Sequence, residues 1–167
     1  MEINKNKSNI LMPEKYSKWE PIQGIESELW IEALHDDYEG LRIIVKGTNE
    51  ASAMYSILFP NYYTYRNTDE SYRLKLWEEG EFEDRKWSLF FIKASKFIDW
   101  VHEESDTLYK KEDMMHYLIK TGADVIEVVT NGIEPKVIKL HEKVQSDLES
   151  NSLVRRGKRG SYFDKID

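Results

Sequence analysis

Short apolar segments joined by hairpin-length turns run through most of this chain, and they constrain its fold more than any other feature. Residues 28–34 alternate apolar and polar side chains, and residues 41–46 return after a turn at residues 35–40, which predicts a hairpin. Residues 62–66, 71–77 and 87–93 also read as strands, while residues 51–59 suit either a strand or a short helix. Because such short links join antiparallel neighbours, we expect a mainly antiparallel sheet.

One helix interrupts this series of strands. Ser95 follows an apolar run and is a good N-cap for a helix over residues 96–104, whose apolar face carries Phe97, Trp100 and Val101. Residues 114–140 favour a C-terminal three-stranded meander, with turns at residues 121–124 and at Asn131-Gly132. The predicted fold class is α+β, a mainly antiparallel twisted sheet packed on one central helix.

The chain length of 167 residues fits a single domain with two differing ends. Residues 1–24 are polar, contain Pro13, Pro21 and Gly24, and predict a flexible N-terminal arm. Residues 25–153 should form the single α+β domain, and residues 154–167 a basic C-terminal tail. Arginines and lysines of that tail could contact nucleic acid, but a solvated tail explains them better.

Composition restricts the classes of protein that remain. The chain has no cysteine, which rules out disulfides and thiolate zinc sites. No apolar run approaches the roughly 20 residues of a membrane span, and no export signal is visible at the N-terminus. Residues 25–153 hold 26 acidic and 15 basic side chains, a balance that repels nucleic acid. We therefore expect a bacterial cytoplasmic protein whose charge attracts basic surfaces or serves solubility alone.

Catalytic motifs are missing from the sequence. The glycines form no phosphate-binding loop, no serine lies in a nucleophile elbow, and no pair of carboxylates stands apart from the other acids. The best alternative is a metal-dependent or acid/base hydrolase using Asp99, His102 and Glu103, because Asp99 and His102 are three apart on the predicted helix. A solvated helix end explains them better, because a helical histidine with a carboxylate nearby is common by chance. We expect no catalytic residues, metal or cofactor.

An acidic segment, residues 69–84, is the strongest candidate for a binding surface. Aromatic anchors beside carboxylates suit a protein that binds a basic partner tightly. Aromatic core residues inside a solvated acidic loop would give the same pattern. The partner-binding residues that we predict are Asp69, Glu70, Tyr72, Trp77, Glu78, Glu79, Glu81, Glu83 and Asp84.

Residues 27–138 carry a set of short motifs. The set consists of Tyr65-Arg66, Asp69-Glu70, Trp87, Ser95, Trp100-x-His102-x-Glu104-Ser105, His116-Tyr117-Leu118-Ile119-x-Thr121, residues 124–129 and Pro135-x-Val137. This pattern is similar to that of a family of small bacterial proteins encoded beside polymorphic toxins. The resemblance implies a protein-binding module, an immunity protein that neutralises a cognate toxin by occlusion. A structural or regulatory homodimer, joined through exposed aromatic side chains, is the other alternative.

Overall fold

Strands dominate the computed structural model, which describes residues 13–140. Two α-helices lie among them, α1 (Leu74–Glu79) and α2 (Lys96–Glu104), with 3₁₀ turns at Glu70–Tyr72 and Lys111–Asp113. The strands are β1 (Lys15–Lys18), β2 (Leu29–Asp37), β3 (Gly40–Gly47), β4 (Met54–Phe59), β5 (Tyr62–Asp69), β6 (Glu81–Phe82), β7 (Leu89–Lys93), β8 (Met115–Lys120), β9 (Asp124–Thr130) and β10 (Lys136–Lys139).

The strands form two sheets rather than one. The larger has the order β5-β9-β8-β7-β1-β6, and the smaller has the order β10-β4-β3-β2. Every pair is antiparallel except β1 with β6. The predicted α+β class and the mainly antiparallel pairing are confirmed.

The main core joins the two sheets and continues onto the other side of the larger sheet, where it includes Leu118. Phe59 of β4 meets Tyr117 of β8 edge to face, with ring centroids 5.4 Å apart, and Tyr117 also contacts Trp19. Because side chains alternate along a strand, His116 and Leu118 point to the opposite side of the larger sheet from Tyr117. We call that opposite side the outer face.

Helix α2 spans the predicted residues and lies against the outer face. The Ser95 hydroxyl oxygen accepts the Ile98 N–H at 3.0 Å, which caps the helix. Phe97 and Val101 are buried in a small cluster with Met114 and Val129. Trp100 is half exposed, so it contributes less to the packing than its position in the apolar pattern indicates.

Two strand predictions are wrong. Residues 71–77 form a 3₁₀ turn and α1, because the Asp69 carboxylate accepts the Ser71 N–H at 2.9 Å and starts a helical turn. The three-stranded meander does not form either. Strand β9 already has β5 and β8 on its two edges, so β10 pairs with β4 in the smaller sheet. The ambiguous residues 51–59 contain a strand, β4.

The arm predicted over residues 1–24 is, in its described part, a component of the fold. Strand β1 lies between β7 and β6, and Tyr16 and Trp19 are buried. Residues 1–12, the domain end at residue 153 and the tail at residues 154–167 lie outside the described residues. Within residues 13–140, no helix has the length and apolar character needed to cross a membrane.

Candidate functional site

The acidic segment crosses the outer face of the larger sheet. It leaves the edge strand β5, passes through the first 3₁₀ turn and α1, and reaches β6 at the opposite edge. The Glu70 N–H donates to the Ala123 carbonyl at 3.0 Å, which joins the start of this crossing to the β8–β9 turn.

The inward side of the segment is held by several contacts. Leu76 is buried in the main core, and the Trp77 ring stacks with Phe82. The Trp77 indole N–H donates to the Glu70 carbonyl at 3.1 Å. The Arg85 guanidinium donates to the carbonyls of Trp77 at 2.7 Å and Gly80 at 3.2 Å. The segment therefore has a defined conformation, although α1 has only six residues.

The outward side carries apolar groups and carboxylates together. Tyr72 is 82% exposed and Leu74 is 61% exposed. Leu74 and Glu78 are four residues apart on α1, so they share a face of the helix. We define the acidic surface as the exposed side chains of Tyr72, Leu74, Glu78, Glu79 and Glu81.

The remaining predicted partner-binding residues serve the fold. Asp69 caps the 3₁₀ turn, and the hydrogen bonds from Ser71 lower the pKa of its carboxyl. Glu83 accepts the Lys18 N–H at 2.8 Å, and Asp84 accepts the Lys86 N–H at 2.9 Å. Glu70 is half-buried, and Trp77 packs against the core. The prediction thus includes four of the five surface residues but misses Leu74.

A buried ionic cluster lies below the segment on the outer face. The Glu127 carboxylate of β9 is 2% exposed and accepts two hydrogen bonds from Arg66, from Nε at 2.5 Å and from Nη2 at 2.8 Å. Arg73, which immediately precedes α1, donates to the same carboxylate. Burial would raise the pKa of Glu127, but the hydrogen bonds and charges of the two arginines outweigh it and hold the pKa at about 2.

His116 adds a neutral group to this cluster. Burial lowers its pKa to about 4, against the opposing effect of the Glu127 charge, so the ring is neutral at pH 7. Its Nδ1 lies 2.7 Å from the Ser95 hydroxyl oxygen. The Ser95 hydroxyl is positioned to donate to Nδ1, which leaves the ring N–H on Nε2, 3.6 Å from Glu127 Oε1.

Ser95, His116 and Glu127 form a series of nucleophile, base and carboxylate, but the series lacks access. Ser95 is 5% exposed and its hydroxyl is already used as a helix cap. Two open cavities of about 680 and 540 Å³ lie on the outer face and share Glu14 and Lys96, yet neither is lined by Ser95. The Ser95–His116 contact joins the cap of α2 to β8, whereas His116 Nε2 lies too far from Glu127 Oε1 for a hydrogen bond.

Asp99 and His102, the predicted metal-binding pair, contact different partners in the structure. Asp99 accepts a hydrogen bond from the Lys111 ammonium at 2.5 Å, and His102 Nδ1 lies 2.7 Å from the Tyr109 carbonyl oxygen. Glu103 is exposed. Among residues 13–140, no three histidine, aspartate or glutamate side chains converge as a metal site.

The ionic cluster could have been found from the sequence by one signal. Glu127 is the one charged residue inside the apolar run at residues 125–129, and a charge buried in such a run needs a partner. Its arginines, at positions 66 and 73, could not be chosen without the strand pairing.

No family model, curated protein or solved structure matches this chain.

Proposed function

We propose that this chain is a protein-binding module whose acidic surface contacts a basic protein partner. The observation that carries the proposal is the exposure of Tyr72 and Leu74 beside carboxylates, on a segment that buried contacts hold in place. Large apolar side chains on a fixed backbone can enter a partner's pocket with little loss of conformational entropy. The fixed segment therefore supports binding better than a freely moving acidic loop would.

The overall charge supports the same proposal. Residues 13–140 hold 25 acidic and 16 basic side chains, and Lys75 is the one exposed basic side chain of α1. Such a field accelerates encounter with a positively charged protein and slows encounter with nucleic acid. A toxin domain with a basic catalytic cleft is a partner of this chemistry. We accordingly propose a bacterial cytoplasmic immunity protein that neutralises its cognate toxin by occluding the cleft.

A titration tests the proposal. The polypeptide encoded next to this chain is titrated into it in a calorimeter, and we expect a one-to-one complex. Tyr72→Ala combined with Leu74→Ala should weaken the affinity by at least about tenfold, because the double variant removes the apolar anchors. Tyr38→Ala is the control, since Tyr38 is 97% exposed in the β2–β3 turn. Equal affinities of the two variants for the polypeptide, or no binding at all, would contradict the proposal.

Self-association is the second candidate, favoured by the half-exposed Trp30 and Trp100. Light scattering at micromolar concentration separates the two functions. The partner-binding proposal predicts a monomer in the absence of partner. A homodimer would have twice the mass, and Trp30 and Trp100 would then be its candidate contact residues.

A further inference from the structure

We propose that Glu127 is a positioning residue for the acidic surface and that it acts through Arg73. This inference rests on the proposed function, because it concerns how the same surface is held ready for a partner. Glu127 is 2% exposed, so its influence on binding must pass through another residue.

Arg73 connects Glu127 to the backbone of the segment. Its side chain donates to the buried carboxylate and is 18% exposed. Its carbonyl accepts the N–H groups of Leu76 at 2.9 Å and Trp77 at 3.3 Å, which are the first hydrogen bonds of α1. The contact that fixes Arg73 therefore also fixes the first turn of the helix that presents the acidic surface.

Arg66 pairs with the charge of Glu127 without help from Arg73, so Arg73 has a further role. Arg66 already donates to both oxygens of Glu127, to Oε2 from Nε and to Oε1 from Nη2. The carboxylate is thus satisfied from β5 alone. What Arg73 adds is a tie between the crossing segment and the centre of the sheet.

The short helix depends on such ties. Six residues are too few for a helix to be stable without tertiary contacts. Its other ties are the burial of Leu76, the Glu70 N–H bond to Ala123 and the Arg85 bonds to two carbonyls. Among residues 13–140, the Arg73–Glu127 contact is the one charged side-chain pair that joins residues 70–80 to the sheet.

The experiment compares Arg73→Met with Arg66→Met. Each substitution removes one arginine from the same carboxylate, but only the first releases the segment. In Arg73→Met, amide exchange at Leu76, Trp77 and Gly80 should accelerate by about tenfold relative to the unmodified protein, while β8 and β9 stay protected. Affinity for the polypeptide encoded next to the chain should fall by about tenfold. Arg66→Met should leave both quantities within about twofold, because it breaks a contact between β5 and β9 and keeps the contact of Arg73 with Glu127.

Several outcomes separate the inference from the proposed function. Equal exchange at residues 74–80 in both variants would overturn the inference. So would unchanged affinity of Arg73→Met where Tyr72→Ala with Leu74→Ala loses binding, a result that leaves the proposed function intact. If that double variant also binds normally, the proposed function itself fails. Should Arg73→Met not fold, Arg73→Lys provides the same comparison, because lysine cannot reproduce the guanidinium geometry.

Discussion

The buried side chains of the outer face combine groups that are costly to bury alone. Glu127 retains its charge because two arginines donate to it, and His116 stays neutral because burial disfavours its protonated form. Glu127 can be recognised from the sequence as the one charge in an apolar run, whereas His116 of β8 carries no such signal. The pairing of Glu127 with Arg66 depends on strand register, since Arg66 lies directly opposite Glu127 in the β5–β9 ladder.

Acid should destabilise the protein in two steps. The folded pKa of His116, about 4, is below its ordinary value of 6.5, so the unfolded chain binds a proton first as the pH falls. The free energy of unfolding should decrease between pH 6.5 and 4, by about 3 kcal/mol from this residue. The folded pKa of Glu127, about 2, is below 4.5, so its stabilisation is present above pH 4.5 and lost toward pH 2.

Urea unfolding at several pH values between 7 and 4 checks the first step. The variant His116→Gln should lose most of the decrease, while the exposed His35→Gln should follow the unmodified protein. Parallel stability curves for the unmodified protein and His116→Gln would show that this histidine does not control the acid sensitivity.

Elements with strong local signals could be predicted from the sequence. The cap at Ser95 defines α2, and the alternation at residues 28–34 and 41–46 defines the β2–β3 hairpin. Residues 71–77 could not be predicted, because their alternation suits a strand. In the structure they lead into the short helix α1, which buries only Leu76. The Asn131-Gly132 pair also predicts a hairpin between β9 and β10 that does not form. Such a hairpin needs a free edge on β9, and β5 occupies that edge.

The β2–β3 turn depends on a glycine. Gly40 has φ +122°, and an added Cβ would lie 2.3 Å from the Phe59 carbonyl oxygen. Gly40→Ala should therefore lower the free energy of unfolding by at least about 2 kcal/mol, measured by urea unfolding. Gly24→Ala is the matched control, because Gly24 has φ +77° but open space around it. We expect it to cost about 1 kcal/mol; equal losses would mean that the contact with Phe59 does not matter.

At the scale of the whole molecule, the sequence indicates where the acidic side chains are concentrated but not how they are displayed. The segment at residues 69–84 could be identified from composition, and Tyr72, Glu78, Glu79 and Glu81 do reach the surface. Only the structure separates them from Trp77, which packs inward, and from Glu83 and Asp84, which accept backbone N–H groups. This separation requires the crossing between two sheet edges, a long-range feature that no local pattern contains.

The central claim of the proposed function is that the position of these charges affects binding more than the total charge does. The most direct test reverses Glu78, Glu79 and Glu81 to lysine and measures the association rate with the polypeptide encoded next to the chain. Reversal of Glu103, Glu104 and Glu112, which are also exposed, changes the net charge by the same amount. We predict that the first variant associates at least about tenfold more slowly at low salt, and the second no more than about threefold. Equal association rates for the two variants would contradict the claim.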